Sequence, residues 1–194
     1  MSLSSPSKVL LVNTTLAQSS LLRHALEDED YDVVDCLSEL VDLVDSVQST
    51  GAEIVVFSTD SPSEELIHQL TRLTEESPRP VVMFAEQDAP SVIQQVVKSG
   101  VSAYVAAEIH PHRVRSIITV AVARFQEQQS LLNELVKAKN QLAGRKVIDR
   151  AKGLLMDKQG INEEEAYTKL RKMAMDKGEP LSNVAQSVVD VFSL

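Results

Sequence analysis

Five short apolar segments alternate with segments of amphipathic-helix spacing in the first half of the chain, and this alternation constrains the fold most strongly. Each apolar segment has the length of a buried strand, and apolar residues three and four positions apart follow it. Strands joined through helices form right-handed crossovers, so the sequence predicts an α/β unit with a five-stranded parallel sheet. The predicted strands are residues 8–13, 31–36, 53–57, 80–85 and 101–105, and the predicted helices are residues 16–28, 40–48, 64–75 and 91–99.

One long helix is predicted from Pro111 to about Lys158, because no convincing stop signal interrupts this stretch. A seven-residue repeat of about four heptads within it favours a coiled coil between two copies of the chain. The alternative is a helix whose apolar stripe packs on its own domain. The predicted dimer contacts are Ile118, Ala121, Phe125, Leu132, Leu135 and Leu142.

Two short helices follow the long one. Asn162 with Glu165 three positions later is a helix N-cap signature, and Gly178 with Pro180 ends that helix. Another apolar helical face extends over residues 184–192. The sequence therefore predicts an α/β domain over residues 1–110, a coiled-coil helix over residues 111–144 and a three-helix domain over residues 145–194.

Charge is distributed unevenly between these parts. The formal net charge of the chain is −9. Residues 1–144 contain 10 basic and 20 acidic residues, whereas residues 145–194 contain 9 basic and 8 acidic residues. A near-neutral segment still binds phosphate groups if its basic side chains share one face. The charge therefore permits nucleic-acid binding by the C-terminal part but does not by itself predict it.

The sequence gives no signal for export, membrane insertion or catalysis. No apolar run approaches the ~18 residues of a membrane-spanning helix, and the N-terminal segment lacks the apolar stretch of a signal peptide. Cys36 is the one cysteine, which favours a reducing compartment. His110 and His112 flank a proline without further ligands beside them. We therefore expect a cytoplasmic protein that is not an enzyme and needs no metal or cofactor.

The first domain resembles the receiver domain of bacterial response regulators, a flavodoxin-like fold, over roughly residues 7–125. Pro62, Gly100 and Tyr104 match common features of that family. The resemblance implies an acidic pair that holds Mg²⁺, an acceptor Asp, a hydroxyl and a Lys at the ends of successive strands. These positions hold other residues here: Asn13, Thr14 and Thr15 after the first strand, Ser58 at the acceptor position, Ala85 on the fourth strand and Ala107 after the fifth.

Asp60 lies two residues beyond Ser58 and is the one carboxylate near the acceptor position. It is either a displaced acceptor or a turn residue, since Asp60-Ser61-Pro62 is typical of a turn. Because the acidic pair and the Lys are replaced, we expect a pseudo-receiver that is not controlled by phosphorylation.

The C-terminal domain resembles the ANTAR domain. Ala151-Lys152-Gly153 followed by Leu154-Leu155-Met156 matches the core of that family, and residues 165–167, 170–174 and 184–188 follow in its order. ANTAR domains bind pairs of small-loop hairpins in leader RNA and prevent a terminator from forming, so the resemblance implies transcription antitermination. Small residues permit close approach, and an aromatic ring stacks on an unpaired base unless it belongs to the core. The candidate RNA contacts are Arg145, Lys146, Ala151, Lys152, Gly153, Tyr167, Arg171 and Lys172.

Residues 58–63 and 79–84 are similar to the NasT branch of the AmiR/NasT antiterminators. The resemblance implies control by a periplasmic-binding-protein-like nitrate/nitrite sensor and a role in nitrate assimilation. One alternative is a phosphorylation-controlled response regulator that binds DNA, which the last helix disfavours because it offers Asn183 and Gln186 but no Arg or Lys. Another is an enzyme on a flavodoxin-like fold, which the lack of acidic residues at the strand ends disfavours.

Overall fold

The computed structural model describes residues 6–13, 16–37, 42–106 and 109–192. The chain divides into two compact units between residues 129 and 130. In chain order the elements are β1 (Lys8–Asn13), α1 (Leu16–Glu27), β2 (Asp32–Leu37), α2 (Leu43–Thr50), β3 (Ile54–Thr59), α3 (Glu64–Glu76), β4 (Val81–Ala85), α4 (Pro90–Lys98), β5 (Ala103–Ala106), α5 (Pro111–Gln159), α6 (Glu163–Lys177) and α7 (Leu181–Phe192).

The first unit contains a parallel five-stranded sheet with the order β2-β1-β3-β4-β5, which confirms the predicted doubly wound α/β fold. Side chains alternate between the two faces of each strand. Leu10 and Val12 therefore enter a core with α2, α3 and α4, whereas Val9 and Leu11 enter a second core with α1 and α5. The predicted start of α2 at residue 40 lies outside the described residues.

The first turns of α5 belong to the core of the first unit. Val114, Ile118 and Ala121 are fully buried in the cluster that includes Val9, Leu11 and Phe84. The prediction that Ile118 and Ala121 are dimer contacts is therefore wrong, because their own chain already covers both side chains. For the start of the helix, packing on its own domain is the correct alternative.

The long helix has the predicted extent. Pro111 occupies its first turn, where a missing N–H costs no hydrogen bond. The helix ends at Gln159, and Gly160 follows with φ +67°, a left-handed conformation that suits glycine. Among the described residues, no helix is both long enough and apolar enough to cross a membrane.

The predicted capping box at the start of α6 is confirmed. The Asn162 side chain accepts from the Glu165 N–H at 2.9 Å, and the Glu165 carboxylate accepts from the Asn162 N–H at 3.0 Å. Gly178 ends the helix in the left-handed conformation, with φ +65°. Local signals at both ends therefore set the length of α6.

Gly100 is the glycine of the first unit at which a side chain is least tolerated. Its φ is +100°, and a Cβ placed there overlaps Thr74 Oγ1. That hydroxyl is held by the carbonyl oxygens of Leu70 and Ser99, both at 3.0 Å. Gly51 also has a positive φ, +66°, but its nearest neighbour would be Lys8 Nζ at 4.0 Å.

We predict that Gly100→Ala lowers the free energy of unfolding by about 3 kcal/mol, because it combines backbone strain with steric overlap. Gly51→Ala carries the backbone strain alone and should cost about 1 kcal/mol. Urea titration followed by circular dichroism compares the two variants. Equal losses would contradict the close packing of Gly100 against Thr74.

Candidate nucleic-acid interface

The second unit is a three-helix bundle with a small apolar core. The core combines Ala151 and Leu155 of α5 with Leu170 of α6 and Ala185 of α7. Ala151 is fully buried there. The prediction that it contacts RNA is therefore wrong, because its small side chain instead lets the neighbouring helices approach α5.

Three of the predicted RNA contacts line one groove of this unit. The groove has a volume of about 670 Å³ and combines two cations with an exposed aromatic ring, those of Arg145, Lys152 and Tyr167. We call it the Arg145 groove. Its lining residues are Asn140, Gln141, Gly144, Arg145, Ile148, Asp149, Lys152, Tyr167, Leu181 and Ser182.

Gly144 lines this groove without interrupting α5. A Cβ placed at Gly144 would lie 3.4 Å from the Ser182 Cβ, which is a van der Waals contact. The helices α5 and α7 therefore lie close together at this position. The close approach expected at Gly153 is not seen among the described residues, since no atom lies within 4 Å of a Cβ placed there.

Tyr167 presents its ring to solvent. Tyr167 is 45% exposed, whereas its α6 neighbours Ala166 and Leu170 are fully buried in the core of the unit. This exposure favours the stacking interpretation of Tyr167 over the core interpretation. A ring on the wall of a groove can stack on an unpaired base, which contributes about 1–3 kcal/mol per base in nucleic-acid complexes.

Lys152 is held by two carboxylates. Its Nζ lies 2.8 Å from Asp149 Oδ1 on the same helix and 2.7 Å from Glu163 Oε1 at the start of α6. The hydrogen bonds that the Lys152 ammonium donates to Asp149 and Glu163 raise the pKa of Lys152, and the bond from Lys152 is the main cause that lowers the pKa of Asp149. The positive charge of Arg145 also lowers the pKa of Asp149. The charge of Lys152 is thus balanced by carboxylates on two helices.

The other predicted contacts lie elsewhere on the unit. Lys146, Arg171 and Lys172 are exposed and do not line the Arg145 groove. Lys172 lines a different concave surface with Asn162, Lys169 and several other α6 residues. The structure therefore brings together only Arg145, Lys152 and Tyr167 of the predicted set.

The carboxyl edge of the sheet in the first unit carries the altered receiver positions. Asn13 pairs with Ser58, and Ala85 pairs with Ala106, across neighbouring strands. Ser58 is 1% exposed, whereas Asp60 lies beyond the end of β3 and is exposed. Over the described ranges no group of three or more His, Cys, Asp or Glu side chains is arranged to hold a metal ion. Thr14, Thr15 and Ala107 lie outside the described residues.

Residues 137–189 match the family model of the ANTAR domain. The matched range contains every residue that lines the Arg145 groove. The second unit is therefore an ANTAR domain, as its motifs predict.

Solved structures show the fold of the first unit. The receiver domain of a modulated diguanylate cyclase from Desulfovibrio desulfuricans aligns with a TM-score of 0.55 and 17% identity, over 63% of this chain and 98% of that one. A CheY-like receiver domain from Methanospirillum hungatei also gives 0.55, with 16% identity over 64% and 99% of the two chains. The chain is thus a receiver-fold protein with a C-terminal ANTAR domain.

The curated relatives that the chain matches are named as regulatory proteins. It is 24% identical over 187 residues to the transcriptional regulatory protein PdtaR of Mycobacterium tuberculosis, over 96% of this chain and 91% of the relative. The aliphatic amidase regulator of Pseudomonas aeruginosa is 28% identical over 56% of each chain. The nitrate regulatory protein of Klebsiella oxytoca is 36% identical over 80 residues, which cover 41% of this chain and 20% of that protein.

Proposed function

We propose that this protein is a dimeric RNA-binding regulator that acts by transcription antitermination on hairpins in leader RNA. The observation that carries the proposal is the Arg145 groove, in which two cations and an exposed aromatic ring lie within the matched ANTAR range. Hairpin loops present splayed bases that such a ring can stack on and phosphates that such cations can bind. The regulatory relatives support the same conclusion.

The alternative of duplex DNA binding has little support on α7. A recognition helix needs several side chains that reach base edges. Residues 181–192 contain no Arg or Lys, and the Gln186 amide donates to Asp190 Oδ1 at 2.6 Å. The Arg145 groove, whose two cations belong to α5, is therefore the better nucleic-acid site.

Dimerisation is proposed through the middle of α5. Leu132, Leu135 and Leu142 keep the heptad spacing and are 46%, 49% and 58% exposed, and Phe125 is half-buried. Three exposed leucines in one stripe are costly in a monomer, and a second copy of the helix would cover them. The coiled coil of this proposal is thus shorter than the predicted one, since Ile118 and Ala121 are buried within their own chain.

Control by a partner protein, rather than by phosphate, is the third part of the proposal. Among the described residues, a buried serine stands at the acceptor position and Ala85 stands in place of the hydroxyl that would stabilise a phosphoryl group. The partner we propose is a soluble sensor of the periplasmic-binding-protein type that responds to nitrate or nitrite. The similarity to a nitrate regulatory protein supports this signal over 80 residues.

We predict that Arg145→Ala weakens binding to a leader-RNA hairpin pair about tenfold and reduces its salt dependence, because a phosphate contact is lost. Tyr167→Ala should weaken binding at least fivefold through lost stacking. Gel-shift titration at two salt concentrations measures both. Lys177→Ala, which removes the same charge from the exposed end of α6, is the matched control and should change affinity less than twofold. Equal losses in all three variants, or tighter binding to duplex DNA, would contradict the proposal.

For the dimer, we predict that the wild-type chain sediments as a dimer at micromolar concentration and that Leu135→Glu sediments as a monomer. A charge at a d position opposes burial of the stripe while leaving helix propensity unchanged. Met175→Glu is the control, since Met175 is 74% exposed on α6 and outside the stripe. A monomeric wild-type protein would refute the proposed coiled coil.

For phosphate control, we predict that the protein acquires no stable label from radioactive acetyl phosphate and Mg²⁺. A functional receiver domain in a parallel reaction serves as the positive control. Stable labelling that disappears in Asp60→Ala would show that Asp60 is a displaced acceptor and would overturn this part of the proposal.

A further inference from the structure

Lys152 is the least accessible charged group of the Arg145 groove. Its side chain is 16% exposed, whereas those of its partners Asp149 and Glu163 are 56% and 70% exposed. Two of its three possible ammonium hydrogen bonds go to these carboxylates, at 2.8 and 2.7 Å. Without RNA, the cation that the ANTAR motif supplies is therefore already occupied.

This arrangement has different effects on the affinity for RNA of any sequence and on the affinity for an RNA hairpin that fits the groove. Two uncompensated cations side by side would attract any phosphodiester chain, whatever its sequence or shape. With two carboxylates present, a phosphate that reaches Lys152 either replaces one of them or lies close to their negative charges, so the contact itself gains little. Net affinity then depends on the additional contacts that only a fitting loop makes, such as stacking on Tyr167.

We propose that Asp149 and Glu163 are specificity-determining residues, which occupy Lys152 so that generic polyanions are rejected and only a well-fitting RNA hairpin displaces them. The inference rests on the proposed RNA-binding function and adds a repulsive element to it, as specific recognition commonly requires. Both carboxylates remain largely exposed, so each can return to water when a phosphate displaces it, without leaving a buried unpaired charge.

Glu163 is a better position than Asp149 for testing this proposal by substitution. It lies on another helix, 11 residues from Lys152, whereas Asp149 also interacts with Arg145. Glu163 occupies the first position of α6, but the cap made by Asn162 and Glu165 remains intact when it is changed. Glu164 is the matched control, because it carries the same charge one residue later and lines a different concave surface.

The experiment measures the affinities of a leader-RNA hairpin pair and of a scrambled RNA of equal length. Glu163→Gln should bind the scrambled RNA about fivefold more tightly, because the attraction of Glu163 for Lys152 no longer competes with the RNA; fivefold is the effect of two unit charges about 4 Å apart in water. Its affinity for the hairpin pair should rise less, so discrimination falls. Glu164→Gln should change both affinities by less than twofold.

A second comparison tests whether the effect acts through Lys152. In a Lys152→Met background, Glu163→Gln should no longer increase the affinity for scrambled RNA, because the cation that it releases is gone. A persisting gain would show a general charge effect and would overturn the inference.

The two proposals fail in different ways. If the wild-type protein binds the hairpin pair no better than the scrambled RNA, the proposed function fails and the inference with it. If the wild-type protein discriminates between the RNAs but Glu163→Gln behaves like Glu164→Gln, only the inference is overturned.

Discussion

The continuity of α5 is the constraint on which the rest of the structure depends. Its 49 residues contribute to two separate cores. Val114, Ile118 and Ala121 complete one face of the α/β sheet, and Ala151 and Leu155 form the centre of the three-helix unit. Each core includes side chains from its own part of this helix. Removing either part would therefore expose apolar surface in the corresponding unit. Leu132, Leu135 and Leu142, which lie between these two sets of residues in the sequence, are exposed to solvent.

Electrostatic compensation is the second organising feature. Residues 145–194 contain 9 basic and 8 acidic residues, and a local balance is seen where Lys152 pairs with Asp149 and Glu163. Such a site gains little from charge alone, so shape and stacking must supply the selectivity of any RNA complex. In the first unit, Ser58 and Ala85 stand where the receiver resemblance implies an acceptor Asp and a hydroxyl, so the groups that phosphoryl chemistry needs are replaced there as well.

Much of the fold followed from short-range patterns. Short apolar runs located the strands, and capping residues such as Asn162 and Gly178 located helix ends, because these signals act within a few residues. The errors came from side chains whose environment is distant in sequence. Ile118 fits the heptad repeat as well as Leu135 does, but the sheet covers only Ile118. Likewise Ala151 fits the family motif, and only the packing of α6 and α7 shows that it is core.

The sequence by itself determined the parallel α/β unit, the length of α5, the replaced receiver positions and the ANTAR motif, since each is a matter of local composition and spacing. Only the tertiary structure decided which candidates share a surface. It placed Arg145, Lys152 and Tyr167 along one groove, separated Lys172 from them, and brought Glu163 to the ammonium of Lys152. The reason is geometric: spacing gives the face of each helix, whereas the contacts between faces depend on how three helices pack around a shared core.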